Sequence, residues 1–256
     1  MKRLALLLVT LFALGSGNAQ IIRQPIPDKL VVLTFDDASI SHARFVAPVL
    51  KRYGFGGTFF ICEFPPNFFD KSKYMSWAQI RELDRMGFEI GNHTLTHKHV
   101  NKLTREQFTA ELDSLEFRCL TYGITHPTTF AYPGYDTHPT AFSVLKEKNY
   151  AFARVGGSRT YDPTTDHPFL IPSFSTTGTD KQRVLAALQE AKNGKIVVLT
   201  IHGVPDNAHD WVTTPPDLFL EYMKFLHDNR YTVIALRDLA AYVNVEQAFT
   251  TIALKP

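Results

Sequence analysis

Cysteine is nearly absent: the 256 residues hold two, Cys62 and Cys119. Neither stands in a spacing that marks a metal cluster or a catalytic thiol. An oxidising compartment would permit a disulfide, but nothing in the spacing favours one, and two buried free thiols are the expectation. A Gly-Xaa-Ser-Xaa-Gly elbow is missing too. Ser16 and Ser158 lie beside glycines but outside that pattern, so no serine nucleophile is indicated. There is no basic block and no polybasic tail, which makes nucleic acid and anionic membranes poor partners. No internal repeat, low-complexity tract or long linker divides the chain.

What is present is an ordinary globular composition with 45% hydrophobic residues, 20 Phe, 10 Tyr and 15 Pro. The first residues form a separate unit. Lys2 and Arg3 precede an apolar run, Leu4 to Leu14, broken only by Thr10, and Gly17-Asn18-Ala19 supplies small residues for cleavage. This is the pattern of an export signal over residues 1–19. The run is too short for a comfortable membrane span, so no stable insertion is expected once the signal is removed. Two of the 27 basic residues fall in it, leaving 25 against 25 acidic in residues 20–256. The expectation is one exported domain, periplasmic or extracellular. Nothing in the sequence sets an oligomeric state.

Beyond the signal, short apolar runs alternate with helical patterns. Strands are predicted over Leu30–Phe35, Thr58–Ile61, Phe88–Ile90, Thr128–Ala131, Tyr150–Ala153, Lys195–Ile201 and Tyr231–Ile234. Helices are predicted over Phe45–Tyr53, Trp77–Met86 behind a Ser76 cap, Thr104–Tyr122 before Gly123, and Thr140–Lys148. Further helices are predicted from Asp180 to Ala191, from Pro216 to Asn229 and over Leu236–Val243, and a Pro- and Asp-rich loop over Ser158–Pro172. Alternating strands and helices with near-continuous apolar strands point to a parallel sheet covered by helices. About seven strands suit a barrel or a nearly closed one; a doubly wound open sheet is the alternative. Both place ligands beyond the carboxyl ends of the strands.

Ionisable residues gather at those ends. The first strand runs into Asp36-Asp37, the third into His93-Thr94-Leu95-Thr96-His97, and Lys195–Ile201 into His202. His93 and His97, four apart, face one side of a helical turn and can reach one ion. A carboxylate would complete a three-ligand set with an open position, as in a catalytic zinc site. Of the two adjacent carboxylates, one can bind metal and the other accept a proton. An imidazole titrates near 6.5, which suits His202 as a proton donor. Taken singly, each pair reads equally well as solvated surface residues; their joint position at strand ends carries the inference. Trp211, in the loop after His202, could stack on a sugar or simply pack. His126, His138 and His167 precede prolines and read as turn residues; His42, His99 and His227 read as surface or capping groups.

These motifs resemble the polysaccharide deacetylase family, also called the NodB-homology or carbohydrate esterase family 4 group. Thr34-Phe35-Asp36-Asp37, Gly91-Asn92-His93-Thr94-Leu95-Thr96-His97 and Leu199-Thr200-Ile201-His202 carry the likeness, which extends over about Leu30 to Val243. The resemblance implies a distorted (β/α) barrel, with Asp36 as general base, His202 as general acid, and Asp37, His93 and His97 holding one divalent metal, Zn2+ first among candidates. It implies removal of acetyl groups from a glycan or small glycoside, across a non-peptide carbon–nitrogen bond or an ester. The third motif departs from the commonest form: in Phe130-Ala131-Tyr132-Pro133-Gly134-Tyr135, Ala131 stands where the family often has an Arg that orients the base. Arg154 and Arg159 are the candidate replacements. Tyr132 and Gly134 of this segment are assigned to substrate and oxyanion, with the Gly134 N–H as donor and its missing side chain allowing close approach of a substrate. The Asp that usually orients the acid histidine is not evident; Asp166 is the candidate. Two other readings remain: hydrolysis of small non-glycan amides on the same fold, and a degenerate member that binds carbohydrate without turnover.

Overall fold

The computed structural model describes residues 20–254; the expected export signal lies outside them. Eight parallel strands make one sheet among the described residues: β1 (Leu30–Phe35), β2 (Thr58–Ile61), β3 (Glu89–Asn92), β4 (Thr129–Ala131), β5 (Phe152–Arg154), β6 (Phe174–Ser175), β7 (Val197–Ile201) and β8 (Thr232–Ile234). Their order is β5-β4-β3-β2-β1-β7-β6. The central strand β1 pairs with β7 from Val31 to Phe35. Along its other edge it pairs first with β8 and then, from Thr34, with β2. Both β1 and β7 are buried along their whole length, which is why they read as unbroken apolar runs.

The sheet curls until its ends meet. Ile171 pairs in parallel with Arg154 of β5, and three residues later the same stretch has become β6 against β7. One segment therefore bonds to both ends, and the fold is a distorted, nearly closed (β/α) barrel rather than a doubly wound open sheet. Among the described residues six α-helices pack outside it, α1 (Ala47–Tyr53), α2 (Trp77–Arg85), α3 (Arg105–Tyr122), α4 (Pro139–Glu147), α5 (Lys181–Leu188) and α6 (Pro216–Asp228), while α7 (Val245–Thr251) places Ala248 on the inner cluster. Ser76 and Thr104 each form a capping box with a Gln three residues on, each satisfying two otherwise free donors at a helix start.

Strand alternation sorts β1 and β7 between two of the three buried clusters. Val31, Leu33 and Phe35 join the helix-facing cluster with Val197, Leu199 and Ile201. Leu30 and Val32 join the inner cluster with Phe60, Ala131, Phe152 and Val198. Continuing the inner parity upward reaches Thr34 on β1 and Asp36 just after it, His93 after β3, Arg154 on β5, and Thr200 on β7 and His202 just after it. A six-membered ring fills the middle of the barrel: a Cβ on Gly91 would come within 2.5 Å of the Phe60 ring, so only glycine lets that ring lie across β3.

Three predicted elements change. β6 lies just past the predicted Ser158–Pro172 loop, in a stretch given no element, because two residues give no periodicity and tertiary pairing defines them. The N-terminal part of the predicted Phe45–Tyr53 helix is preceded by a π-helical turn, His42–Val46. The predicted Leu236–Val243 helix is a 3-10 stretch, Leu236–Ala241, and α7 follows it behind an Asn244 cap. Cys62 and Cys119 are buried free thiols.

Candidate active site

The upper strand ends open into a cavity of about 870 Å³ whose lining includes Asp36, Asp37, His93, His97 and His202. The five come from β1, β3 and β7, and the barrel brings them together.

Asp37 is the hub. Its Oδ1 lies 3.5 Å from His93 Nε2 and 3.4 Å from His97 Nε2. Those spacings are long for hydrogen bonds. They match ligand atoms sharing one tetrahedral ion at about 2.0–2.1 Å, which stand about 3.3 Å apart. The histidine tautomer supports the same reading. His93 Nδ1 is 2.7 Å from the Ala131 carbonyl oxygen, which can only accept, so Nδ1 carries the proton. A neutral His93 then turns a lone pair toward the carboxylate, and two acceptors facing at that distance suit a cation between them. Burial lowers the His97 pKa to about 4, which keeps that ring neutral. Asp37, His93 and His97 form the one such donor cluster among the described residues.

The two histidines do not meet across a helical turn as expected. Residues 93–97 form a loop in which Thr94 and His97 take left-handed φ values of 56° and 55°. The Thr94 N–H donates to Asn92 Oδ1, and buried Glu111 accepts from both the N–H and the hydroxyl of Thr96. Asp37 is also left-handed, with φ 73°. Such backbone costs about 1–3 kcal/mol per residue, and here it turns adjacent residues Asp36 and Asp37 to different tasks.

Asp36 is buried with a fully buried cation. Arg154 Nη2 donates to its Oδ2 at 2.6 Å, and Arg154 Nη1 donates to Thr200 Oγ1 at 3.0 Å. The guanidinium lies 5.5 Å from the ring centroids of both Phe60 and Tyr135. Arg154 is the register partner of Ala131 across β4 and β5, so the cation comes from the strand beside the one carrying the alanine. Asp36 Oδ1 has no partner. Arg159 does not approach Asp36. It forms a two-pronged ion pair with Asp166, at 2.6 and 2.9 Å, lining a different cavity. That pair takes both Asp166 oxygens, so the structure does not place Asp166 on His202, whose Nδ1 is buried without a partner.

His202 Nε2 is 3.8 Å from Asp37 Oδ2. Behind it lies His42, which is fully buried, contrary to its reading as a surface group. Its Nε2 contacts the His202 carbonyl at 3.0 Å, and burial lowers its pKa. The π-helical turn delivers this ring, and a lone histidine in a polar segment carries no periodic signal for it.

Gly134 lines the cavity, but what approaches it closely is protein. A Cβ there would stand 2.2 Å from the His99 ring, and its φ is +62°. His99 in turn bonds Asp136 at 2.7 Å. Tyr132 is fully buried with an unpartnered hydroxyl, and burial raises its pKa well above that of free tyrosine. Trp211 is 70% exposed at the cavity mouth, with its ring 5.4 Å from that of His209. No helix of the described residues is long and apolar enough to cross a membrane.

A model of the family described as polysaccharide deacetylase matches residues 23–153. YxkH of Bacillus subtilis, a protein named for the same family, is 31% identical over 85 residues, 33% of this chain and 29% of the relative. The peptidoglycan-N-acetylglucosamine deacetylase of Bacillus cereus is 27% identical over 128 residues, 49% of this chain and 56% of the relative. The matches thus span less than two thirds of either relative's length. A family 4 acetyl xylan esterase from Clostridium thermocellum, solved with a cobalt ion, superposes with a TM-score of 0.56 at 25% identity over 82% of this chain and 90% of that one.

Proposed function

The chain belongs to the polysaccharide deacetylase family, and from that premise we propose that it hydrolyses acetyl groups from an acetylated carbohydrate, N- or O-linked, with one divalent cation held by Asp37, His93 and His97. The observation that carries this is the convergence of His93 Nε2 and His97 Nε2 on Asp37 Oδ1, with a second carboxylate, Asp36, fixed beside them. The nitrogen and oxygen donors suit zinc. A bound cation would polarise the acetyl carbonyl and make water nucleophilic near neutral pH.

The chain's own residues supply the rest. Arg154 holds Asp36 by Oδ2, leaving Oδ1 to take the proton of the attacking water. The Gly134 N–H donates to the carbonyl oxygen as it gains charge. His202, at the cavity wall, gives a proton to the departing sugar nitrogen or oxygen, and acetate leaves. Exposed Trp211 offers a face for a sugar ring at the mouth. Names of relatives, in which peptidoglycan and xylan appear, support a glycan over a small amide.

The test is acetate release from N-acetylated and O-acetylated oligosaccharides and from a small acetylated amide, alongside zinc content by elemental analysis. About one zinc per chain with acetate from a saccharide is the expected result. No zinc retained after zinc is supplied would break the proposal at its metal, and acetate from the small amide alone would remove the carbohydrate.

A further inference from the structure

The loop after β7 holds a histidine without a role in this chemistry. The His209 ring lines the cavity, packed 4.8 Å from the Phe64 ring and 5.4 Å from that of Trp211. Its Nε2 is 3.3 Å from the Tyr74 hydroxyl. Its Nδ1 lies between two carboxylates, 3.7 Å from Asp37 Oδ2 and 3.8 Å from Asp206 Oδ1, with no hydrogen-bond partner.

Nε2 is taken up by Tyr74 and Nδ1 faces the two acids. Carboxylates only accept, so the ring proton belongs on Nδ1 and the Tyr74 hydroxyl donates to Nε2. Asp206 fixes the loop that carries the ring. It accepts from the backbone N–H groups of Ala208 and His209 with Oδ1, at 2.9 and 2.7 Å, and from Gly203 with Oδ2, at 3.0 Å. Asp37 thereby divides its two oxygens. Oδ1 faces His93 and His97, while Oδ2 faces His209 and His202.

We propose that His209 is a positioning residue for Asp37: its Nδ1–H holds the carboxylate oxygen turned away from the His93–His97 pair and so sets the orientation of the other. At 3.7 Å the contact is an electrostatic one, and a shift of about 0.5 Å closes it to a hydrogen bond. Asp37, Tyr74 and His209 then link the loops after β1, β2 and β7 through one ring. A carboxylate ligand held from outside binds its ion more tightly, and losing such a partner costs about 10–100-fold in metal affinity. The inference rests on Asp37, His93 and His97 being the metal ligands.

The experiment is competition of the full chain with a chromophoric chelator for Zn2+, and the visible spectrum of the Co2+-loaded protein. His209→Ala is expected to weaken Zn2+ binding about 10–100-fold, with unfolding of the metal-free protein unchanged. His209→Asn, whose amide N–H replaces Nδ1–H, is expected to recover most of the loss. Should His209→Ala fail to fold, Tyr74→Phe frees the other end of the ring and is expected to weaken Zn2+ in the same direction. Wild-type affinity and an unaltered Co2+ spectrum in His209→Ala would overturn this proposal and leave the metal site standing. Absence of Zn2+ binding by the wild-type chain would instead overturn the metal site, and this proposal with it.

Discussion

Two buried acids face the inside of one barrel from opposite ends and are held in opposite ways. At the upper end, Asp36 is bonded to the buried guanidinium of Arg154. At the lower end, Glu89 opens β3 and accepts only from neutral donors: the hydroxyls of Thr58 and Thr129, each at 2.7 Å, and the Arg237 N–H at 2.9 Å. Burial raises the Glu89 pKa against those bonds. The same strand reaches His93 at its other end, four residues and two inward positions later. One inner face thus runs from a carboxyl that favours its proton to a cluster that needs its charges. Charge is kept compensated where ligands arrive and left uncompensated where the barrel is only plugged, in line with the division of labour between the two ends of such barrels.

The comparison breaks most severely at Asp36. Replacing it in Asp36→Asn should lower the rate of acetate release about 10²–10⁴-fold, the range for loss of a general base, measured on folded protein, which should itself be less stable because the buried Arg154 guanidinium loses its anion. A rate within a few-fold of wild type would remove Asp36 from the chemistry. Arg154→Ala comes next. It strands a buried anion and should cost about 3–5 kcal/mol in denaturant unfolding. Asp36→Asn/Arg154→Met removes both charges, and its stability should lie closer to wild type than that of Arg154→Ala; equal losses would mean that Arg154 acts through packing alone. The smallest effect belongs to Glu89→Gln. A carboxyl whose folded pKa is raised contributes stability fully below its unfolded pKa of about 4.3, and that contribution is lost as pH rises through the folded value. Gln cannot ionise, and Thr129 can turn to accept from it while Thr58, which already accepts from the Leu236 N–H, still donates. Melting temperatures should therefore favour Glu89→Gln near pH 7, with the difference closing toward pH 4. A gap that widens on acidification would show the ionised form to be the better fit.

Much of this contrast is written locally. Leu30–Phe35 and Thr58–Ile61 are strands to the residue, because short β-branched and aromatic runs end in glycine or polar residues. Arg105–Tyr122 is bounded by its Thr104 box and Gly123. Arg154 could be singled out as a basic residue ending the apolar run Phe152-Ala153, a placement that needs a buried partner. Asp166 pairs with Arg159, which folds back onto it, a contact that position along the chain does not reveal. The joint approach of His93 and His97 depends on left-handed residues that no periodicity announces. His42 and His209 are single polar residues in aperiodic stretches, and only the packing of separate loops gives them neighbours. The helical period assigned to residues 93–97 failed for the same reason: Asn92 and Glu111, from outside the pair, set its geometry.

The stretch from Ile171 to Ser175 closes the barrel, and β6 within it is the shortest strand of the sheet. Ser173 sits at its centre. Its hydroxyl reaches the Val155 carbonyl at 2.6 Å and the Thr200 hydroxyl at 2.7 Å, and that same Thr200 receives Arg154. The seam of the barrel and the support of Asp36 are thus one chain of donors. Breathing at the seam, the kind of opening that amide exchange detects, would slacken the guanidinium and with it the Asp36 carboxylate, while Asp37, His93 and His97, set by the ends of β1 and β3, stay in register. The setting of Asp36 and the gathering of Asp37, His93 and His97 are separable properties of this fold, with separate mechanical roots.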